Sequence, residues 1–203
     1  MDIQKTITAL KEKLYTVTYF ETSKEAADYL DQQIDRKTVG FGDSRTMIDM
    51  KLFDRLSKHN TVYDPNQSKD DEEFVEIAKE ALTTEVYLTS VNGMAETGEF
   101  INIDGTGNRV AGSLFGHKKV YFIVSTNKIE TTLEKAIWRA RNIAAPMNCQ
   151  KYNLPTPCVA HNGDRCYDCK SPKRICNALV IHLRRMNDVD DVEIILIHED
   201  MGF

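Results

Sequence analysis

At 203 residues, with 41% hydrophobic and 28% charged side chains, the chain has the makeup of an ordinary globular protein, which excludes fibrous and disordered classes. Lys and Arg number 26 against 31 Asp and Glu, and a net charge of −5 lacks the basic surplus that phosphate-backbone binding needs, so nucleic acid is not an expected partner. The longest apolar runs, such as Val120 to Val124, fall far short of the ~20 residues that span a bilayer, so no membrane insertion is expected.

The opening residues Met1 to Leu10 have no continuous apolar stretch of the secretory kind, which places the chain in the cytoplasm as an expectation. The first thirty-odd residues read as a pair of helices, the second opened by the capping box Thr22-x-x-Glu25. Thr38 to Gly42 is the first expected strand, followed by a polar turn and a helix reaching about Lys58. Thr61 to Tyr63 is a second strand. Phe74, Ile77, Ala78, Ala81 and Leu82 then recur at helical spacing behind the acidic start Asp70 to Glu73, where anions meet the positive end of the helix dipole. Glu85 to Thr89 and Phe100 to Ile103 read as strands separated by a glycine-containing turn. Val120 to Val124 is a buried strand, and Leu133, Ala136, Ile137, Ala140 and Ala144 form one helical face behind Thr131-x-x-Glu134. After Pro146 the pattern breaks into a proline-rich segment at 155–177, and Ala178 to Ile181 and Val192 to Ile197 return to strand. Strands alternating with helices predict one α/β domain over residues 1–203, with a mostly parallel sheet and helices on both faces.

In such sheets ligands gather at the carboxyl ends of the strands. Gly40, Gly42, Asp43 and Ser44 occupy one strand-to-helix junction, where glycines admit a ligand and a helix start attracts an anion; a plain tight turn with Asp43 or Ser44 as N-cap is the alternative. Asn92 to Gly98 and Asp104 to Arg109 are two further polar turns. They offer Asn92, Asp104, Asn108 and Arg109 as ligand contacts and Glu96 as a base or nucleophile, against the alternative of ordinary turns. Arg109 suits a substrate carboxylate or a structural salt bridge equally. Within 155–177, Cys158, Cys166, Cys169 and Cys176 are spaced C-x7-C-x2-C-x6-C. Four thiolates suit zinc or an iron-sulfur cluster, with free thiols or disulfides as alternatives. Cys149 is left over as an ordinary thiol, and His161 is either a substitute ligand or a surface side chain.

The ordered set Val39-Gly40-Phe41-Gly42-Asp43-Ser44, Leu88 to Gly98, Ile103 to Val110 and Asn142 to Asn148 resembles the lactate-utilisation (LUD) domain family. Thr156-Pro157-Cys158 and Cys166 to Asn177 look like a cysteine-bearing branch of it. The resemblance implies the α/β fold shared with ribose-5-phosphate isomerase, glucosamine-6-phosphate deaminase and CoA transferases. It also implies a component of bacterial lactate or related organic-acid utilisation that binds a small anionic metabolite and acts beside iron-sulfur partner subunits. An isomerase or transferase acting on a phosphorylated or CoA-linked metabolite, and a metabolite-sensing domain, are the alternatives, because fold alone does not fix chemistry.

Overall fold

The computed structural model describes residues 2–203, beginning with helix α1 (Ile3–Glu12), capped by the Asp2 carboxylate accepting from the Lys5 amide at 3.0 Å. Strand β1 (Thr16–Phe20) follows where a second helix was expected directly. The run Thr16-Val17-Thr18-Tyr19-Phe20 is β-branched and aromatic, and it fits a sheet surface better than a helix. Helix α2 (Ser23–Gln33) starts at the expected capping box, Thr22 and Glu25 bonding reciprocally at 3.1 and 3.2 Å. Strand β2 (Thr38–Phe41) leads into α3 (Arg45–Asp49) and α4 (Leu52–Leu56). The single helix expected here is divided at Lys51, which sits in the left-handed region at φ 52°.

Strand β3 (Thr61–Tyr63) and helix α5 (Asp71–Ala81) match the sequence reading, and Asp70 caps α5 through the Glu73 amide at 2.8 Å. Strand β4 (Val86–Thr89) precedes β5 (Gly93–Ala95), β6 (Phe100–Asp104), α6 (Asn108–Leu114) and β7 (Lys119–Ser125). Strand β8 (Ile129–Glu130) is followed by α7 (Leu133–Arg139), a π turn (Ala140–Ala144) and α8 (Ala145–Lys151). The cap of α7 is Thr132, accepting from Lys135 at 3.3 Å, one residue beyond the expected Thr131. The helical face read from the sequence reaches Ala144, with the pattern changing after Pro146. The wider π turn lets the chain continue, because the ring of Pro146 would otherwise collide with the carbonyl four residues back. Helix α9 (Pro157–Ala160), β9 (Ala178–His182) and β10 (Asp191–Ile197) complete the elements.

The larger sheet has six strands, all parallel, in the order β1-β10-β7-β4-β2-β3. Alternation along β7 sends Tyr121 and Ile123 to one core and Val120, Phe122 and Val124 to the other. The first core packs under α2, α3 and α4. The second packs under α1 and against a smaller sheet in the order β8-β5-β6-β9, with antiparallel β5–β6 and β6–β9 pairs. The α/β class and the mostly parallel sheet are as read from the sequence. The smaller sheet was not foreseen, since Gly93 to Ala95 read as part of a turn. No helix among the described residues is long and apolar enough to cross a membrane.

Candidate functional site

Strands β3, β2, β4 and β7 are neighbours in the sheet, and the segments leaving their carboxyl ends converge on one open cavity of about 810 Å³. From β2 come Asp43 and Ser44, from β4 come Ser90, Val91 and Asn92, and from the turn after β7 comes Lys128. The smaller sheet closes the opposite side with Ile103 to Thr106, Asn108 and Arg109. Helix α8 adds Ala145, Asn148 and Lys151. Of the residues singled out in the sequence, Asp43, Ser44, Asn92, Asp104, Asn108 and Arg109 thus line one space.

Arg109 is held by neutral groups. Its guanidinium donates to the Asn92 side-chain oxygen at 3.0 Å and to the Ile103 carbonyl, and the same Asn92 oxygen accepts from the Ile103 amide at 2.8 Å. No carboxylate stands among those partners. Asp104 is committed to the backbone: its two oxygens accept from the amides of Gly107 at 3.1 Å and Val110 at 3.0 Å, fixing the start of α6. Asp43 accepts from the Tyr152 hydroxyl at 3.3 Å.

Lys128 escaped the sequence reading. It is 3% exposed, and its ammonium donates to Thr46 Oγ1 at 2.9 Å and Ser90 Oγ at 3.0 Å. Burial, reinforced by the charges of Arg139 and Arg109, brings its pKa down from 10.5 to about 7. Arg139, also buried, braces this wall by donating to the carbonyls of Asn92 at 2.7 Å, Asn127 at 3.2 Å and Phe203 at 3.2 Å.

Three expectations for the site need correction. Gly40 does not line the cavity; a methyl there would lie 2.3 Å from the Ala81 carbonyl, so the glycine serves the packing of β2 on the end of α5. Gly42 also stays behind the wall, where a Cβ would meet Tyr87 Oη at 2.6 Å and the Arg109 stem at 3.0 Å. Glu96 is carried away from the cavity by β5, and its carboxylate accepts from the Asp2 amide at 2.9 Å and Lys5 Nζ at 3.1 Å. Those bonds hold its pKa below the ordinary carboxylate value. The residue anchors the start of α1 rather than facing a ligand.

The five cysteines come together. Cys158, Cys166, Cys169 and Cys176 line a second void of about 20 Å³, and so does Cys149 from α8, which the sequence reading set apart. Cys149 and Cys158 are buried, and burial followed by the neighbouring Cys158 pushes the Cys149 thiol up to about 12. His161 stacks on Tyr167 with ring centres 4.9 Å apart and does not line this void. Among the described residues no three His, Cys, Asp or Glu side chains already stand as a metal-ligating group. Any ion would therefore have to draw the thiols inward.

Against known proteins, the model of the LUD domain matches residues 3–197. A crystal structure of a DUF162 family protein from Deinococcus radiodurans is similar over 96% of this chain and 95% of that one, with a TM-score of 0.53 at 12% identity, a likeness of fold. The eIF2B delta structure from Chaetomium thermophilum is similar over 66% of this chain and 53% of that one, at 16% identity and a TM-score of 0.33. No curated protein matches the sequence.

Proposed function

Since the chain belongs to the LUD domain family, we propose that it serves lactate or related organic-acid utilisation by binding a small anionic metabolite in the cavity at the strand ends. The observation that carries this reading is the pair Arg109 and Lys128, two cations held by neutral groups and facing one space. Such cations are left to be satisfied by a ligand. Arg109 has the planar fork that matches a carboxylate or phosphate. Lys128, poised near neutrality, can donate to a second ligand oxygen or exchange a proton with it. Asn92, Asn108 and Asn148 supply uncharged amides for hydroxyl or carbonyl groups.

A cavity of about 810 Å³ is large for a three-carbon acid alone and lies in the range that holds molecules of drug size, ~300–1,000 Å³. That volume favours an anion bearing a further group, or an organic acid bound beside a second molecule, and it keeps phosphorylated or CoA-linked metabolites as the second reading. Calorimetric titration with lactate, a sugar phosphate and an acyl-CoA compound tests both. Removing one charge-assisted contact, as in Arg109→Gln, should weaken the responding anion by about 1.5–3 kcal/mol, roughly 10- to 150-fold. An anion that binds the wild-type chain and the Arg109→Gln and Lys128→Met variants equally well would refute the assignment of the site.

A further inference from the structure

In Cys166-Tyr167-Asp168-Cys169 the residue Asp168 takes φ 43°, and its amide donates to the Cys166 sulfur at 3.3 Å. An N–H aimed at sulfur favours the thiolate over the thiol. The neighbouring guanidinium of Arg174 donates to the Cys169 carbonyl at 2.8 Å and to Asp168 at 3.2 Å, and it lies close enough to the Cys176 thiol for the two to influence each other electrostatically. Arg141 approaches Asp168 from the π turn at 3.4 Å. On the inner side, Cys149 neighbours Cys158, whose sulfur is in hydrogen-bond range of Thr156 Oγ1 at 3.2 Å. The whole arrangement is a knot of sulfurs with positive charge at its rim and few large apolar groups inside it, joined to the fold through α8 and β9.

We propose that Cys158, Cys166, Cys169 and Cys176 close around a thiophilic metal centre, with Thr156 as the hydrogen-bonding partner of the Cys158 sulfur and Cys149 beside it, outside the ligand set. Four thiolates around a divalent ion carry a net charge of −2, and Arg174 and Arg141 stand where that charge is best offset. The void of about 20 Å³ already has the size of a single ion or water, for which ~10–15 Å³ suffices, and a cluster would need the segment 166–169 to move outward. The position of the centre matters to the rest of the molecule. Cys176 lines both the sulfur void and the anion cavity, and its neighbours Ile175 and Asn177 form part of the cavity wall. Binding the metal would thus order one wall of the ligand site, as structural metals order segments that lack a core of their own.

The test uses the full chain purified without oxygen. Elemental analysis for zinc and iron, with an assay for acid-labile sulfide, should find about one zinc, or iron with or without matching sulfide; each identifies the thiolate centre and names its ion. Metal-free chain titrated with Co(II) should give the thiolate-to-cobalt charge-transfer absorption and intense visible bands of a four-sulfur tetrahedral site at one equivalent. Cys149→Ser should keep this spectrum, while Cys166→Ser with Cys169→Ser should lose it, with far-ultraviolet circular dichroism confirming that the sheet remains. Cys166, Cys169 and Cys176, which are only half-buried, should resist alkylation when metal is bound and react once it is removed. Metal absent from the purified chain together with no cobalt spectrum would overturn the proposal, as would a full spectrum in the double variant, loss of the spectrum in Cys149→Ser, or a Cys149–Cys158 disulfide in place of metal.

Discussion

Replacing Lys128 by methionine keeps the length and volume of the side chain while deleting its charge, and the effect should depend on pH in a defined window. The ammonium has a folded-state pKa of about 7 against an ordinary 10.5. At about 1.36 kcal/mol for each pH unit, the charged form is disfavoured in the fold by roughly 5 kcal/mol. Below pH 7 both folded and unfolded chains hold the proton, so this penalty is fully present. Between about pH 7 and 10.5 the unfolded chain binds more protons than the folded one, and wild-type stability rises with pH as the penalty is relieved. Lys128→Met lacks that rise. The bonds to Thr46 and Ser90 that the variant also loses do not titrate in this range, so they shift both ends of the comparison equally. Urea unfolding of the two proteins from pH 6 to pH 9 should show the variant gaining most over wild type at the acid end, with the difference narrowing by about 2 kcal/mol between pH 7 and pH 9. A difference that stays constant to within about 0.5 kcal/mol over that range would mean that Lys128 keeps an ordinary pKa, and the reasoning about its burial would fail.

Gly42→Ala should lower the urea midpoint by an amount equivalent to about 1–3 kcal/mol, because the new methyl meets Tyr87 Oη at 2.6 Å, and anion affinity measured by calorimetry should fall with it as the Arg109 stem is displaced. Glu96→Gln should leave anion binding unchanged and lower the urea midpoint only slightly, since its partner Lys5 is half exposed and the amide oxygen of Gln can still accept from the Asp2 amide; a loss of affinity would return Glu96 to the site. His182, buried between Phe100 and Phe122, has its pKa lowered by burial to about 4. It must shed its proton to fold, so stability is full above about pH 6.5 and falls as pH drops toward 4, by roughly 3 kcal/mol at about 1.36 kcal/mol per pH unit. Acid unfolding followed by circular dichroism should be correspondingly shallower in His182→Phe, and an unchanged profile would refute the role of this imidazole.

What could be read from the sequence divides along a physical line. Strands β2, β4, β7 and β10 announce themselves because a strand buried on both faces is a short apolar run whatever surrounds it. The loops at their ends follow, which is why Asp43, Ser44, Asn92, Asn108 and Arg109 were found together. Strand β1 was hidden by its place between two well-marked helices, and β5 by its glycine and its three-residue length. Lys128 sits in Thr126-Asn127-Lys128, which looks like any surface turn. Its burial is decided by Thr46 and Ser90, and by Gly202, where a Cβ would come within 3.0 Å of the ammonium, all remote in sequence. Glu96 illustrates the opposite error. A glycine-rich neighbourhood suggested a pocket, but the direction of β5 in a sheet that the sequence did not reveal turns the carboxylate toward α1. The spacing of four cysteines was legible, whereas the approach of Cys149 depended on a helix that continues past Pro146.

Strand β10 lies between β1 and β7 in the larger sheet, pairing Thr16 with Glu193 and Val120 with Val192. During synthesis the ribosome releases β1 long before β10, and until residues 191–197 emerge the edges of β1 and β7 face each other across a missing strand. Unpaired edges of this kind recruit neighbouring chains as readily as their own partner. From the emergence of β7 until that of β10 the nascent chain thus carries two open templates, and closing the sheet brings together residues more than 170 positions apart. Slowing elongation between residues 125 and 191 would lengthen that exposed interval instead of shortening it.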